Sequence, residues 1–170
     1  LGTGLYSAVA ILMALIERSR SGLGQFIDMT LYDCAIALMH PHVANYALSG
    51  KVPGLTGNAH PNISPYDKFR TKTVEIFLGM GNERAFRRLC EVLGEAELAD
   101  DKRFSSNAER VLNRDALRAE LERLLVEEDG IEVCVRLRAA GLAVGPVHDT
   151  AQVMADPHTL HRGMATVFDW

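Results

Sequence analysis

The most constraining feature of this sequence is an apolar stretch near its beginning, AVAILMALI over residues 8–16. It lies within a predicted helix, residues 3–18, whose apolar side chains surround nearly the whole circumference. Such a helix is normally covered on several sides, whereas a surface helix shows a single apolar stripe. We therefore expect this helix to lie inside a larger body. The abrupt apolar beginning at Leu1 and the apolar end after residue 164 predict a piece of a longer protein.

Composition limits the classes of function that the chain can have. Of its 170 residues, 48% are hydrophobic and 24% are charged, which is enough apolar material to bury a core. The net charge is -4 and the Lys and Arg residues are dispersed, a pattern that argues against a nucleic-acid partner. The longest apolar run is too short for a membrane span and no signal-peptide n-region precedes it. We expect a cytoplasmic globular protein with no nucleic-acid or membrane partner.

The cysteines and histidines form no metal-binding pattern. Cys34, Cys90 and Cys134 each lie within an apolar helical pattern and share no C-x-x-C spacing, so we predict buried free thiols. His158 and His161 have an H-x-x-H spacing, but a metal site needs three or four converging ligands. The sequence therefore predicts no metal site.

Periodicity predicts two parts separated by an irregular stretch. The first part has the apolar helix, a strand over residues 25–31 and a second long helix over 33–49, an α/β arrangement. Residues 51–65 are rich in Gly, Pro, Asn and Ser and cannot form a regular element. The region 67–150 then predicts a small α+β unit. Its elements are strands at 74–78 and 142–147 and helices that begin at Asn82, Asn113 and Asp129, followed by a short helix after Asp149 and a strand over 164–170.

The irregular stretch contains the best local candidate for a functional site. Its residues are Gly57, Asn58, Ala59, His60 and Pro61. A glycine lets backbone amides approach a ligand closely, and such amides suit a developing oxyanion. The alternative is an ordinary interdomain linker.

Two titratable side chains, one in this stretch and one in a later helix, carry the same ambiguity. His60 has the chemistry of a general acid or base near neutral pH, or it is a surface turn residue. Glu83 lies in the first turn of a capped helix, where the helix dipole stabilises a carboxylate without any catalytic role.

Taken together, several stretches resemble the family III CoA-transferases, the group that includes formyl-CoA transferase, carnitine CoA-transferase and α-methylacyl-CoA racemase. They occur in the family's order and cover almost the whole chain. These stretches are ALIERSRSGLGQFIDMTLYDCAIALM (14–39), GNAHPNISPYDKF (57–69), GNERAFRRLCEVLG (81–94), RFSSNAERVLNRDAL (103–117), LRAAGLAVGPVHD (137–149) and VMADPHTLHRGM (153–164).

The resemblance implies a fold of two domains in an intertwined homodimer. A large Rossmann-like α/β domain is built from both ends of the chain, and a small α+β domain is inserted into it. On that pattern residues 1–48 end the first large-domain segment, 49–66 form a linker with the Gly/Pro loop, 67–150 form the small domain and 151–170 begin the return linker.

The implied reaction moves CoA from an acyl-CoA thioester to a free carboxylic acid. An aspartate carboxylate attacks the thioester carbonyl, a mixed anhydride forms, and the CoA thiolate then captures the enzyme acyl group as an aspartyl-CoA thioester. In the family this aspartate opens a D-x-x-T-G pattern, of which Leu1, Gly2, Thr3 and Gly4 remain here. The nucleophile is therefore expected immediately before Leu1, and CoA enters as substrate rather than as a bound cofactor.

The resemblance also assigns the loop and the carboxylate, and it leaves alternatives open. In the transferases a glycine-rich loop covers the acyl group at the position of Gly57–Pro61, and this chain carries Gly57, Asn58 and Ala59 in place of a longer glycine run. Glu83 matches an acidic position near the racemase's catalytic pair, and transferases carry an acid there too. An acyl-CoA racemase on the same fold therefore stays open, as does a dimerisation module with no site of its own.

Overall fold

The chain divides into two units, Leu1–Leu55 (unit 1) and Thr56–Trp170 (unit 2). The structure is a computed structural model, and it describes residues 1–166. The fold is mixed α/β, and the sheet in the described residues is small and antiparallel. Each unit is described separately below.

Unit 1 is helical. Its elements are α1 (Gly2–Ser21), α2 (Leu31–Leu38) and α3 (His42–Ser49). Helix α1 ends at Gly22, whose φ of 75° is the left-handed conformation that a glycine adopts at low cost. Helix α2 begins at Thr30, whose hydroxyl accepts a hydrogen bond from the Asp33 amide at 3.0 Å. Among the described residues of unit 1 only Cys34 is buried, so the apolar side chains of α1 stay largely exposed.

Two predictions for unit 1 are wrong. Residues 25–30 of the predicted strand 25–31 have no regular structure, and residue 31 begins α2. A strand needs a neighbour for its backbone hydrogen bonds, and no other strand lies in unit 1 as the structure describes it. The single helix predicted over 33–49 is two helices, because Pro41 has no N–H with which to continue the helical hydrogen bonds.

Unit 2 contains a three-stranded antiparallel sheet in the order β1-β2-β3. The strands are β1 (Tyr66–Phe69), β2 (Ile76–Gly79) and β3 (Val144–Pro146). Tyr66 pairs with Gly79 in the β1–β2 hairpin, and Ile76 pairs with Pro146 across to β3. The strands predicted at 74–78 and 142–147 are confirmed with shifted ends, and β1 was not predicted.

Six helices accompany this sheet in the described residues. The helices are α4 (Glu83–Val92), α5 (Asn107–Leu112), α6 (Arg114–Leu125), α7 (Gly130–Ala139), α8 (Thr150–Ala155) and α9 (Pro157–His161), with a 3₁₀ helix at Ala96–Asp100. The Asn82 side chain caps α4 by accepting from the Ala85 amide at 2.9 Å. Asp129 caps α7, and Asp149 with Gln152 forms a complete capping box at α8. The caps predicted for α4, α7 and α8 are therefore confirmed, whereas Asn113 makes no side-chain cap at α6. The caps of α5 and α9, Ser106 and Asp156, were not predicted.

The buried core of the chain lies in unit 2, between the sheet and helices α4, α6 and α7. Its members are Phe69, Ile76, Leu78, Met80, Phe86, Leu89, Cys90, Ala99, Phe104, Leu117, Leu121, Leu125, Val133, Cys134, Leu137 and Leu142. All three cysteines are free and buried, as predicted. Burial raises the pKa of the Cys90 thiol to about 11, so this thiol stays protonated and unreactive at neutral pH.

The C-terminal end is only partly described. The strand predicted over 164–170 lies mostly outside the described residues, and residues 164–166 form no strand. Along the described helices, no segment combines the length and the apolar character that crossing a membrane requires.

Candidate functional site

The tip of the loop after Thr56 has two exposed residues whose backbone amides are unpaired in the described chain. Gly57 has a φ of 62°, a conformation that costs other residues strain. The turn is closed by the Ala59 amide, which donates to the Thr56 carbonyl at 3.1 Å. Gly57 and Asn58 are exposed, and their N–H groups donate to no acceptor in the part of the chain that the structure describes. Two adjacent amides of this kind are suited to bind an oxyanion.

The stem of the same loop is held by an asparagine from α5. The side-chain nitrogen of Asn107, Nδ2, donates to the Asn62 carbonyl at 2.8 Å. The Asn107 side-chain oxygen accepts from the Ser64 amide at 3.1 Å. One side chain therefore satisfies two backbone groups of a segment that has few hydrogen bonds of its own.

Two arginines hold the carbonyls on either side of this asparagine contact. Arg114, at the start of α6, donates to the His60 carbonyl at 2.8 Å. Arg110, on α5, donates from Nε to the Ser64 carbonyl at 2.7 Å and from Nη1 to the Phe104 carbonyl at 3.0 Å. Arg110 is fully buried, and its guanidinium lies over the Phe86 ring at 4.4 Å. Stacking and these hydrogen bonds offset part of the cost of burying this charge, while Nη2 has no hydrogen-bond partner among the described residues.

Glu83 joins the asparagine and the buried arginine. One carboxylate oxygen accepts from the Asn107 backbone amide at 2.8 Å, and the other accepts from Arg110 Nη1 at 2.5 Å. The hydrogen bond from Arg110 holds the pKa of Glu83 below its ordinary value, although burial opposes the shift. At neutral pH Glu83 is therefore an ionised acceptor. We call the four side chains Glu83, Asn107, Arg110 and Arg114 the loop clamp.

His60 is built into the loop. Its Nδ1 accepts from the Asn62 amide at 3.1 Å, so the neutral ring carries its proton on Nε2. Its ring lies 5.1 Å from the Tyr66 ring, and its backbone amide donates to the Tyr66 carbonyl at 2.9 Å. The predicted site residues are thus placed together: residues 57–61 form one loop, and Glu83 is linked to the stem through Asn107 and Arg110.

A charged cavity of about 360 Å³ adjoins the loop tip. Its lining residues are Thr56, Gly57, Asn58, Asp67, Lys68, Arg70, Glu75, Arg118 and Glu122. The charged lining residues are paired with one another: Arg118 binds Asp67 and Glu122, Lys68 binds Glu75 at 2.7 Å, and Arg70 lies 3.8 Å from Glu122. Gly57 and Asn58 therefore line a polar space with little net charge.

The histidine pair with the H-x-x-H spacing lies elsewhere in unit 2. His158 and His161 belong to the short helix α9. Within residues 1–166, no three His, Cys, Asp or Glu side chains are close enough together to hold a metal ion.

Sequence reasoning missed three members of the loop clamp. Asn107, Arg110 and Arg114 lie 43 to 54 residues from the loop atoms that they bind, so no local pattern connects them. Asn107 and Arg110 have an i, i+3 spacing and lie on one side of α5. Arg114 belongs to the next helix, α6, so helical spacing does not connect it to the other two.

Comparisons with known proteins identify one family over nearly the whole chain. Residues 1–169 match the model of CoA-transferase family III. The chain is 38% identical to the succinate–glutarate CoA-transferase of Agrobacterium fabrum, over 95% of this chain and 40% of that protein. It is 35% identical to the acetyl-CoA:oxalate CoA-transferase of Acetobacter aceti, over 95% of this chain and 41% of that protein.

A solved structure agrees with these relatives. A CaiB/BaiF family protein from Brucella suis superposes with a TM-score of 0.70 at 43% identity, covering 96% of this chain and 43% of that one. The chain thus spans about two fifths of the length of the curated relatives that it matches. The resemblance drawn from the ordered stretches is confirmed: this chain belongs to CoA-transferase family III.

Proposed function

We propose that the complete protein moves CoA from an acyl-CoA to a free carboxylic acid through an aspartyl-CoA intermediate. The observation that carries this proposal is the match to the family over residues 1–169. The relatives are named for succinate, glutarate, acetyl-CoA and oxalate. We therefore propose short dicarboxylic acids as the acceptor class.

The proposed nucleophile is an aspartate immediately before Leu1. Its carboxylate attacks the acyl carbon of the donor thioester and expels the CoA thiolate, leaving a mixed anhydride. The thiolate attacks the aspartyl carbonyl of that anhydride and releases the donor as its free carboxylate. The acceptor carboxylate then attacks the aspartyl-CoA thioester and expels the CoA thiolate, which leaves a second anhydride. The thiolate attacks the acceptor's acyl carbon in this anhydride and forms the product acyl-CoA. The aspartate is regenerated, so each step exchanges one acyl bond for another.

In this proposal the loop tip stabilises the negative charge that develops at each attack. Gly57 and Asn58 are exposed residues and their amides are unpaired within the described chain, and an oxyanion needs donors that are unpaired. Removal of one such donor typically lowers kcat by about 100- to 1000-fold. Ala59, His60 and Pro61 complete the turn that presents them.

The exposed apolar helices of unit 1 support an assembly larger than this chain. Leu12 and Met13 of α1 are 59% and 65% exposed, which is unusual for large apolar side chains on a helix. We propose that the remainder of a Rossmann-like large domain and the partner of an intertwined homodimer cover these side chains. Residues 67–150 are then the inserted small domain, flanked by linkers at 49–66 and 151–170, and the protein acts in the cytoplasm.

The test uses the complete protein with succinyl-CoA and a panel of carboxylic acids. We expect transfer of CoA to at least one short dicarboxylic acid, and a covalent enzyme adduct that hydroxylamine cleaves. Absence of both the transfer and the adduct would contradict the proposal. Deuterium exchange at the carbon next to the thioester, without CoA transfer, would instead favour the racemase.

A further inference from the structure

The loop is supported unevenly along its length. At the stem, the carbonyls of His60, Asn62 and Ser64 each accept a hydrogen bond from a side chain of α5 or α6. At the tip, Gly57 and Asn58 receive no such support. The position of the tip amides is therefore set by the stem, and the position of the stem is set by the loop clamp.

We propose that the loop clamp is the positioning element of the transfer reaction, and that Arg114 is its dedicated loop contact. This inference rests on the proposed function, because the position of the tip matters only if the tip binds a reacting oxygen. A displacement of about 1 Å at such a site lowers the rate on the order of 100-fold. Glu83 serves as an ionised anchor for the clamp rather than as the group that transfers a proton.

Arg110 and Arg114 differ in how much each contributes to the fold and to the loop. Arg110 is fully buried over Phe86 and contributes to the core of unit 2, so its removal would damage the fold as well as the loop. Arg114 is half-buried, and its hydrogen bond goes to the His60 carbonyl. Replacing Arg114 therefore releases the His60 carbonyl while the core and the other two stem contacts stay in place.

Helix α6 also supplies a matched control. Arg123 lies on the same helix, is 58% exposed and pairs with Glu95 and Glu120, which contact no residue of the loop in the described structure. Arg114→Gln and Arg123→Gln remove the same charge from the same helix. They differ in whether the loop loses a contact.

The experiment compares these variants in the complete protein by amide hydrogen exchange and by kinetics with succinyl-CoA. In Arg114→Gln we expect exchange of the loop amides at His60 and Asn62 to be faster by about ten- to a hundredfold. We expect kcat to fall about 10- to 100-fold while KM for succinyl-CoA changes less than about threefold. Arg114→Lys restores a donor to the carbonyl, and we expect it to recover most of kcat. Arg123→Gln leaves both measurements unchanged.

The proposed function and the positioning role of Arg114 are contradicted by different results. Wild-type protein that transfers no CoA overturns the function, and the exchange data then still report whether the clamp holds the loop. An active wild type whose Arg114→Gln variant keeps its kcat, or shows unchanged exchange at the loop, overturns the positioning role. If Arg114→Gln yields no folded protein, Arg114→Met, which keeps the apolar part of the side chain and removes the donor to the His60 carbonyl, decides by the same two measurements.

Discussion

The two units of this chain use apolar residues in opposite ways. In unit 2 the apolar side chains of α4 lie on one face, where Phe86, Leu89 and Cys90 are at most 2% exposed. In unit 1 the apolar side chains of α1 surround the helix, and none of its residues is buried in the described chain. A helix with one apolar stripe buries that stripe by packing against a single layer of neighbouring elements, whereas the apolar side chains of α1 need neighbours on several sides. Within the described residues, unit 2 therefore covers its own apolar side chains, and unit 1 leaves those of α1 exposed.

This difference bears on where the polar site is built. The loop clamp carries a buried arginine, and a buried charge is tolerated only where hydrogen bonds and packing hold it in place. Arg110 meets that condition because Phe86, part of the core, lies under its guanidinium. The self-contained unit thus supports the loop, and the loop tip extends from it.

The largest expected effect comes from separating the units. We expect residues 56–170 alone to unfold in one cooperative thermal transition, because they contain the core. We expect residues 1–55 alone to melt gradually and to bind a hydrophobic dye, because their apolar side chains have no cover. Circular dichroism melts and dye fluorescence of the two pieces measure this. A sharp transition from residues 1–55 would contradict the comparison.

The same contrast explains which elements could be predicted from the sequence. Helices α4 and α7 were predicted with their caps because local signals and the tertiary fold agree there: Asn82 and Asp129 cap them, and Gly94 and Gly141 follow their ends with positive φ. The strand predicted over 25–31 failed because alternation alone does not make a strand. It needs a partner, and unit 1 as described offers none.

The candidate site was predictable in part for a similar reason. The glycine turn at Gly57 is a local property and was found from composition. The clamp was missed because its contacts join distant parts of the chain, such as Ser64 to Arg110 across 46 residues. Glu83 was predicted as a candidate residue from the sequence. The helix dipole accounts for only part of the stabilisation of its carboxylate, because Arg110 also donates a hydrogen bond to it.

The second prediction compares one leucine from each unit. Leu121→Ala removes a fully buried side chain from the core of unit 2, and we expect a loss of about 3 kcal/mol in the free energy of unfolding. Leu12→Ala changes a side chain that is 59% exposed on α1, and we expect a change within about 0.5 kcal/mol in the 170-residue chain. Urea titrations measure both. A loss of similar size at Leu12 would show that α1 is covered in solution.

The third prediction places the same substitution at a glycine in each unit. A Cβ on Gly130 would lie 2.7 Å from the Val74 carbonyl oxygen and 2.6 Å from the Thr71 hydroxyl, so Gly130→Ala should destabilise unit 2 by about 1–3 kcal/mol. A Cβ on Gly4 meets nothing within 4 Å in this chain, so Gly4→Ala should raise the helicity of α1, as alanine favours helix by about 1 kcal/mol. Equal thermal shifts in both variants would contradict this contrast.

The smallest expected effect is a pH dependence confined to unit 2. Arg110 holds the pKa of Glu83 below its ordinary value of 4.5, so the ionised carboxylate stabilises the folded state at every pH above about 4.5. This contribution is lost as the pH falls from 4.5 through the lower folded-state pKa, where the folded protein also takes up the proton. Glu83→Gln removes the titration, so we expect the variant to be less stable at neutral pH and to lose less stability on acidification.

The difference should be on the order of 1 kcal/mol, because the Glu83 side chain is 57% exposed and solvent screens part of the interaction. Urea titrations of residues 56–170 at several pH values measure it, with Asp100→Asn as the control. Asp100 also has a lowered pKa, from its exposed pair with Arg87, and that contribution should vanish in about 1 M salt. The Glu83 contribution should persist there, because its partner Arg110 is buried. If high salt abolished both contributions, the clamp would be only a surface ion pair, and its support by the core of unit 2 would be disproved.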